Sequence, residues 1–132
     1  MIFYLKWNCS ILSNAAIDPG DITSIEVFID TNLPQSNKSA IVTDSTQIEA
    51  IYDYIDQLPK VRVPIPNLVG VGGSTCTDID LMLDTGDPIN LYVTNAWTTT
   101  LYFDRKYYKL LNDDIFDYLE DFISGSPQAP TN

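Results

Sequence analysis

Between Thr77 and Leu111 the chain switches between apolar and polar residues four times in succession. Ile79, Leu81 and Leu83 alternate with Asp78, Asp80, Met82 and Asp84, and Ile89, Leu91 and Val93 alternate with Asn90, Tyr92 and Thr94. Thr99, Leu101 and Phe103 then alternate with Thr98, Thr100 and Tyr102, and Lys106 to Leu111 follows. Successive side chains on a strand point to opposite faces, so each stretch predicts a strand with one apolar and one wet face. The breaks Thr85-Gly86-Asp87-Pro88, Asn95-Ala96 and Asp104-Arg105 are turn signals two to four residues long, and short links favour pairing between neighbours. The segment therefore predicts a four-stranded antiparallel meander whose apolar face needs a cover.

Two helical patterns supply that cover. Asp44 stands three residues before Gln47 in a capping-box arrangement, and Ile48, Ile51, Ile55 and Leu58 form one stripe widened by Tyr52. Glu49, Asp53 and Asp56 take the opposite side, and Pro59 stops the helix. A second helix is predicted over 112–124, with Asn112 as N-cap, Asp113 and Asp114 in its first turn, and Leu111 and Phe116 at the positions of a hydrophobic staple. Its buried stripe is Ile115, Leu119, Phe122 and Ile123.

Ahead of the meander, Phe3, Leu5, Trp7 and Cys9 alternate with polar or interfacial residues and predict an amino-terminal strand. Ser13 to Asp21 reads as a linker ending in a turn at Asp18-Pro19-Gly20-Asp21. Ile25, Val27 and Ile29 mark a strand, and Ala40 to Val42 a short partner that pairs back on it. Lys60 to Pro66 is at best an edge strand, because Pro64 and Pro66 have no amide to donate. Gly70, Gly72 and Gly73 fall in a loop that lacks the Lys-Ser/Thr and the following helix of a phosphate cradle. The expectation is a single α+β domain: a mainly antiparallel sheet with a carboxy-terminal meander and two helices packed on one face. Residues 17–124 form its core, 1–16 an amino-terminal strand and linker, and 125–132 a tail.

Composition narrows the chemistry. With 132 residues the chain is long enough to bury a core unaided. Eighteen acidic against seven basic side chains leave a net charge of −11, which repels phosphate backbones and argues against nucleic-acid partners. Fifteen of the acids are Asp, a residue of turns, caps and strand ends. No histidine is present, which removes Ser-His-Asp, Cys-His and His-ligated zinc chemistry. Cys9 and Cys76 leave either one disulfide or two thiols. No apolar run approaches the ~18 residues of a transmembrane span.

Paired carboxylates were the one catalytic pattern to weigh. Asp78 and Asp80 lie about 7 Å apart along one strand face, but on its wet side, which reads as a solvated face and not as a buried acid-base pair. Asp84-Thr85-Gly86-Asp87 lacks the remaining ligands of a calcium loop and reads as a hairpin turn. No catalytic residue, metal or cofactor is expected. The wet face of the meander instead gathers Asp80, Tyr92, Thr98, Thr100 and Tyr102 beside Met82, a mixture suited to a protein or glycan partner.

Ile22 to Val27, the capped helix from Asp44, the glycine-containing loop, the meander, Arg105-Lys106-Tyr107-Tyr108 and the closing helix, in that order, resemble small uncharacterised domains carried by Gram-positive envelope proteins and lipoproteins. The likeness spans about residues 20–124 and departs at Arg105, where glycine is expected, and before Cys9, where no lipobox stands. It implies a non-enzymatic interaction domain at the cell envelope. The alternative, suggested by charge and by Met1 as a native start, is an acidic cytoplasmic inhibitor of the immunity type, blocking a basic toxin or nuclease.

Overall fold

The amino-terminal segment that reads as a linker contributes core. In the computed structural model, which describes residues 10–31, 37–63, 75–95, 99–111 and 114–125, Ile11–Asn14 form one helical turn, α1, with Ile11 and Leu12 buried. The reason is the Asp56 carboxylate, which receives the Leu12 and Ser13 amides. A 3-10 turn at Pro19–Asp21 then leads into β1, Ile22–Asp30. β2 (Lys38–Val42) pairs back on β1 as its alternation predicts, with Val27 opposite Ala40 and Ile25 opposite Val42.

Helix α2 runs Ser45–Gln57, and the Asp44 side chain accepts from the Gln47 amide at 3.0 Å, which satisfies one of the free donors at its start. β3 (Lys60–Val63) follows directly after Pro59. The meander appears as β4 (Cys76–Leu83), β5 (Pro88–Thr94), β6 (Thr100–Phe103) and β7 (Lys106–Leu110), each pairing with the next. Helix α3, Asp114–Gly125, closes the described fold. The strands make one antiparallel sheet in the order β2-β1-β4-β5-β6-β7-β3, so the hairpin β1-β2 flanks the meander on one side and β3 forms the edge on the other.

Ile25, Val27, Ile29, Ile79, Leu81, Leu91, Val93 and Leu101 line the inner face. With Ile48, Ile51 and Ile55 of α2 and Ile115 and Leu119 of α3 they form a single core cluster. Complete burial of a side chain of this size stabilises by about 1.5–3 kcal/mol, so this layer dominates the fold's free energy. The two long helices also meet each other: the rings of Tyr54 and Tyr118 stack at 3.8 Å, and the Tyr118 hydroxyl donates to the Ala50 carbonyl at 3.4 Å.

Two local expectations need correction. Asp56, assigned to the wet side of α2, is buried at 8% exposure because α1 lies over it. Leu111, assigned to a staple, is 49% exposed although Phe116 is buried. The Asp104-Arg105 turn uses left-handed backbone at both residues (φ 54° and 65°), the twist a two-residue hairpin link requires, without the glycine that adopts it most cheaply. The strand expected over Phe3–Cys9, the loop with Gly70, Gly72 and Gly73, Ala96, Thr98, Asn112, Asp113 and the tail lie outside the described residues.

Candidate functional site

Register decides which side chains share the outer face of the sheet. Phe28 stands opposite Asp78, Asp78 opposite Tyr92, Tyr92 opposite Tyr102, and Tyr102 opposite Tyr107, a row crossing β1, β4, β5, β6 and β7. One pleat further along, Ile41, Glu26, Asp80 and Asn90 form a parallel row across β2, β1, β4 and β5. Asp80, Tyr92 and Tyr102 are therefore brought together on the face their alternation predicts, all three half-buried. Thr100 belongs to the same face but is only 3% exposed, as is its neighbour Thr94 at 4%. Alternation alone reports the face a residue points to and not whether that part of the face is open, and here it is closed.

The tyrosines are held by specific partners. The Tyr92 hydroxyl donates to Cys76 Sγ at 3.0 Å, and the Cys76 thiol donates onward to Thr94 Oγ1 at 3.5 Å. Cys76 carries a free thiol. The Tyr102 ring packs against Tyr107 with centroids 4.7 Å apart and a 37° tilt, so part of its surface is already occupied. The hydrogen bond to Cys76, reinforced by burial, pushes the Tyr92 phenol up to about 12.

That shift has a sign. A phenol that holds its proton more tightly folded than unfolded contributes stability that is whole below its ordinary value of about 10 and is lost as pH rises toward 12. Burial raises Tyr52, Tyr54 and Tyr118 as well, so the measurement must be a difference. Ultraviolet titration of the folded protein should show a phenolate step near 12 that is missing from Tyr92→Phe and displaced toward ordinary tyrosine in Cys76→Ala. An unchanged titration in Cys76→Ala would remove the sulfur as the cause.

The part of the outer face that is open lies at the other end, on β1 and β2. Phe28 and Ile41 are 42% and 55% exposed there. Around them stand Glu26, Asp78 and Asp80, none of which pairs with a lysine or arginine among the described residues. Asn90 Nδ2 donates to both aspartates, 3.2 Å to Asp78 and 2.8 Å to Asp80. No cluster of three His, Cys, Asp or Glu arranged to hold a metal occurs among the described residues. Phe28 and Ile41 were missed by sequence reasoning although the signal was present: both are large apolar residues at the polar positions of their strands, between Val27 and Ile29 and between Ala40 and Val42.

Two shallow depressions, about 390 and 200 Å³, adjoin across Ala15, Phe103 and Asp104 beneath the rim of β5 and β6. Asn14, Asn90, Asp104, Lys106 and Tyr108 supply their polar lining. No helix among the described residues is long and apolar enough to cross a membrane. No protein-family model, curated protein or solved structure matches the chain.

Proposed function

We propose that this is a non-enzymatic protein-binding domain whose recognition surface is the outer face of the sheet, centred on β1 and β2. The observation that carries the reading is the exposure of Phe28 and Ile41 on the outer face, bordered by Glu26, Asp78 and Asp80. Two large apolar side chains held on rigid paired strands offer contact area at little entropic cost. A glycan platform has less support, since Tyr92 is tied to Cys76 and Tyr102 is packed on Tyr107. The envelope setting is supported by the resemblance of residues 20–124. The second reading, an acidic inhibitor of a basic toxin or nuclease, is favoured by the carboxylates that border the same patch.

The test compares the wild-type chain with Phe28→Ser/Ile41→Ser as immobilised bait in an extract of the organism that carries the gene. The wild type should retain a protein partner and the variant should lose it. Both should melt within a few degrees of each other, because exposed substitutions change stability by only about 0.5 kcal/mol. Equal retention by the two proteins would defeat the reading.

A further inference from the structure

We infer that the partner docks on this face with a cationic segment, one that sets arginine or lysine over Glu26 and Asp80 and an apolar side chain on Phe28 and Ile41; the inference rests on the protein-binding reading above. Glu26 stands directly opposite Asp80 across β1 and β4, and Asp78 lies one pleat away from Asp80 on the same face. Like charges facing each other on adjacent strands oppose sheet formation. Ordinary proteins relieve such a pair with a nearby cation. Here the described lysine pairs are elsewhere, Lys38 with Glu120 and Lys106 with Asp104. Asn90 supplies hydrogen bonds to the two aspartates but no charge, and among the described residues the Glu26 side chain has no hydrogen bond or ion pair.

The repulsion therefore persists in the free protein, next to exposed apolar surface. A residue pattern that breaks a local rule without internal compensation is expected where a ligand supplies the compensation. A guanidinium between Glu26 and Asp80 would screen the repulsion of the facing pair, donate to both carboxylates and lie within reach of the Phe28 ring. A small polycation would satisfy the carboxylates but leave Phe28 and Ile41 in water. A segment bearing both chemistries uses the whole patch, and the protein's net charge of −11 would speed its approach.

The experiment is an amide-resolved NMR titration of the full chain with three capped peptides. Leu-Ser-Arg-Ser-Arg places one apolar and two cationic side chains on one side of an extended backbone. Leu-Ser-Glu-Ser-Glu reverses the charge, Ser-Ser-Arg-Ser-Arg removes the apolar group, and spermine serves as a charge-only probe. The first peptide should shift the amides of Glu26, Phe28, Ile41 and Asp80 saturably, weaken steeply between 50 and 300 mM salt, and bind at least tenfold tighter than the other three. Glu26→Gln/Asp80→Asn should bind it at least tenfold more weakly while melting no lower than the wild type, since the substitution removes a repulsion. Shifts that are absent, scattered, or equal for the acidic peptide or spermine would overturn the inference. Retention of the extract partner by Glu26→Gln/Asp80→Asn at wild-type strength would also overturn it while leaving the protein-binding reading intact; retention by Phe28→Ser/Ile41→Ser would sink both.

Discussion

Replacing Asp56 with alanine is expected to lower the free energy of unfolding by about 3 kcal/mol, read as a fall in the urea midpoint. The Asp56 carboxylate accepts from the Leu12 amide at 2.8 Å, the Ser13 amide at 3.1 Å and the Ser13 hydroxyl at 2.5 Å. It thereby serves α1 from outside, taking the role that the N-cap side chain of Ser10 does not fill. Leu12 is fully buried, so its amide has no water to turn to once the carboxylate is gone. Stranding a buried donor costs about 1–3 kcal/mol, and bonds to a charged acceptor fall at the upper end. Ser13 is exposed and recovers part of its loss from solvent.

A conservative variant separates the two contributions. Asp56→Asn keeps one carbonyl oxygen for the Leu12 and Ser13 amides and loses the charge, so its cost should be about 1 kcal/mol. Hydrogen exchange locates the damage: Leu12 and Ser13 amides should lose protection in Asp56→Ala before the strands do. Tyr52 makes this detachment incomplete, because its hydroxyl donates to the Ile17 carbonyl and still ties the end of the segment to α2. If Asp56→Ala unfolds at the wild-type midpoint, α1 is not held by this carboxylate.

Asp56 also illustrates where sequence reasoning stops. The meander was legible because each strand has one face against a hydrophobic layer and one face that is more polar, so a period of two carries the whole answer. The pairing of Ile79 with Leu91 and of Val93 with Leu101 follows from that alternation and short turns. The cap at Asp44 was legible for an equally local reason, since donor and acceptor are three residues apart. Asp56 receives its donors from residues 43 and 44 positions earlier, a separation no window covers. Its place on α2, four residues after buried Tyr52, is the sole local hint.

The candidate site divides the same way. Asp80, Tyr92 and Tyr102 share a face as the alternation requires, yet the open apolar surface sits on Phe28 and Ile41, two strands away through the β1-β4 pairing. That pairing joins strands nearly fifty residues apart, and the sheet order is not written in either strand alone. The burial of Thr100 is likewise a tertiary fact, invisible to a periodicity that assumes solvent on the polar side.

The strand β3 inverts that assumption outright, and Lys60→Ala should cost about 3 kcal/mol as a result. Lys60 is 0% exposed, on the inner face opposite Leu110, and Val61 takes the outer side. α2 ends at Gln57 with Leu58 as its C-cap, and β3 begins at Lys60, just past Pro59. The Lys60 ammonium donates to the Leu58 carbonyl at 2.6 Å and the Ile55 carbonyl at 3.1 Å. Both acceptors lie at the carboxy-terminal end of α2, where carbonyls run short of intrahelical donors and the helix dipole favours a cation. The buried stem fills core volume at about 0.8 kcal/mol per methylene, and alanine forfeits it together with both hydrogen bonds.

Methionine at the same position keeps most of the stem and removes only the ammonium. The two terms then oppose each other: the carbonyls lose a charged donor, while the cost of holding an ammonium out of water is recovered. Ile55 O keeps the Leu58 amide at 3.3 Å, which limits the loss. Lys60→Met should therefore sit between wild type and Lys60→Ala, about 1–2 kcal/mol below the wild type in urea unfolding. A Lys60→Met protein more stable than the wild type would mean that desolvation outweighs the two carbonyl bonds, and that the helix end does not need its lysine.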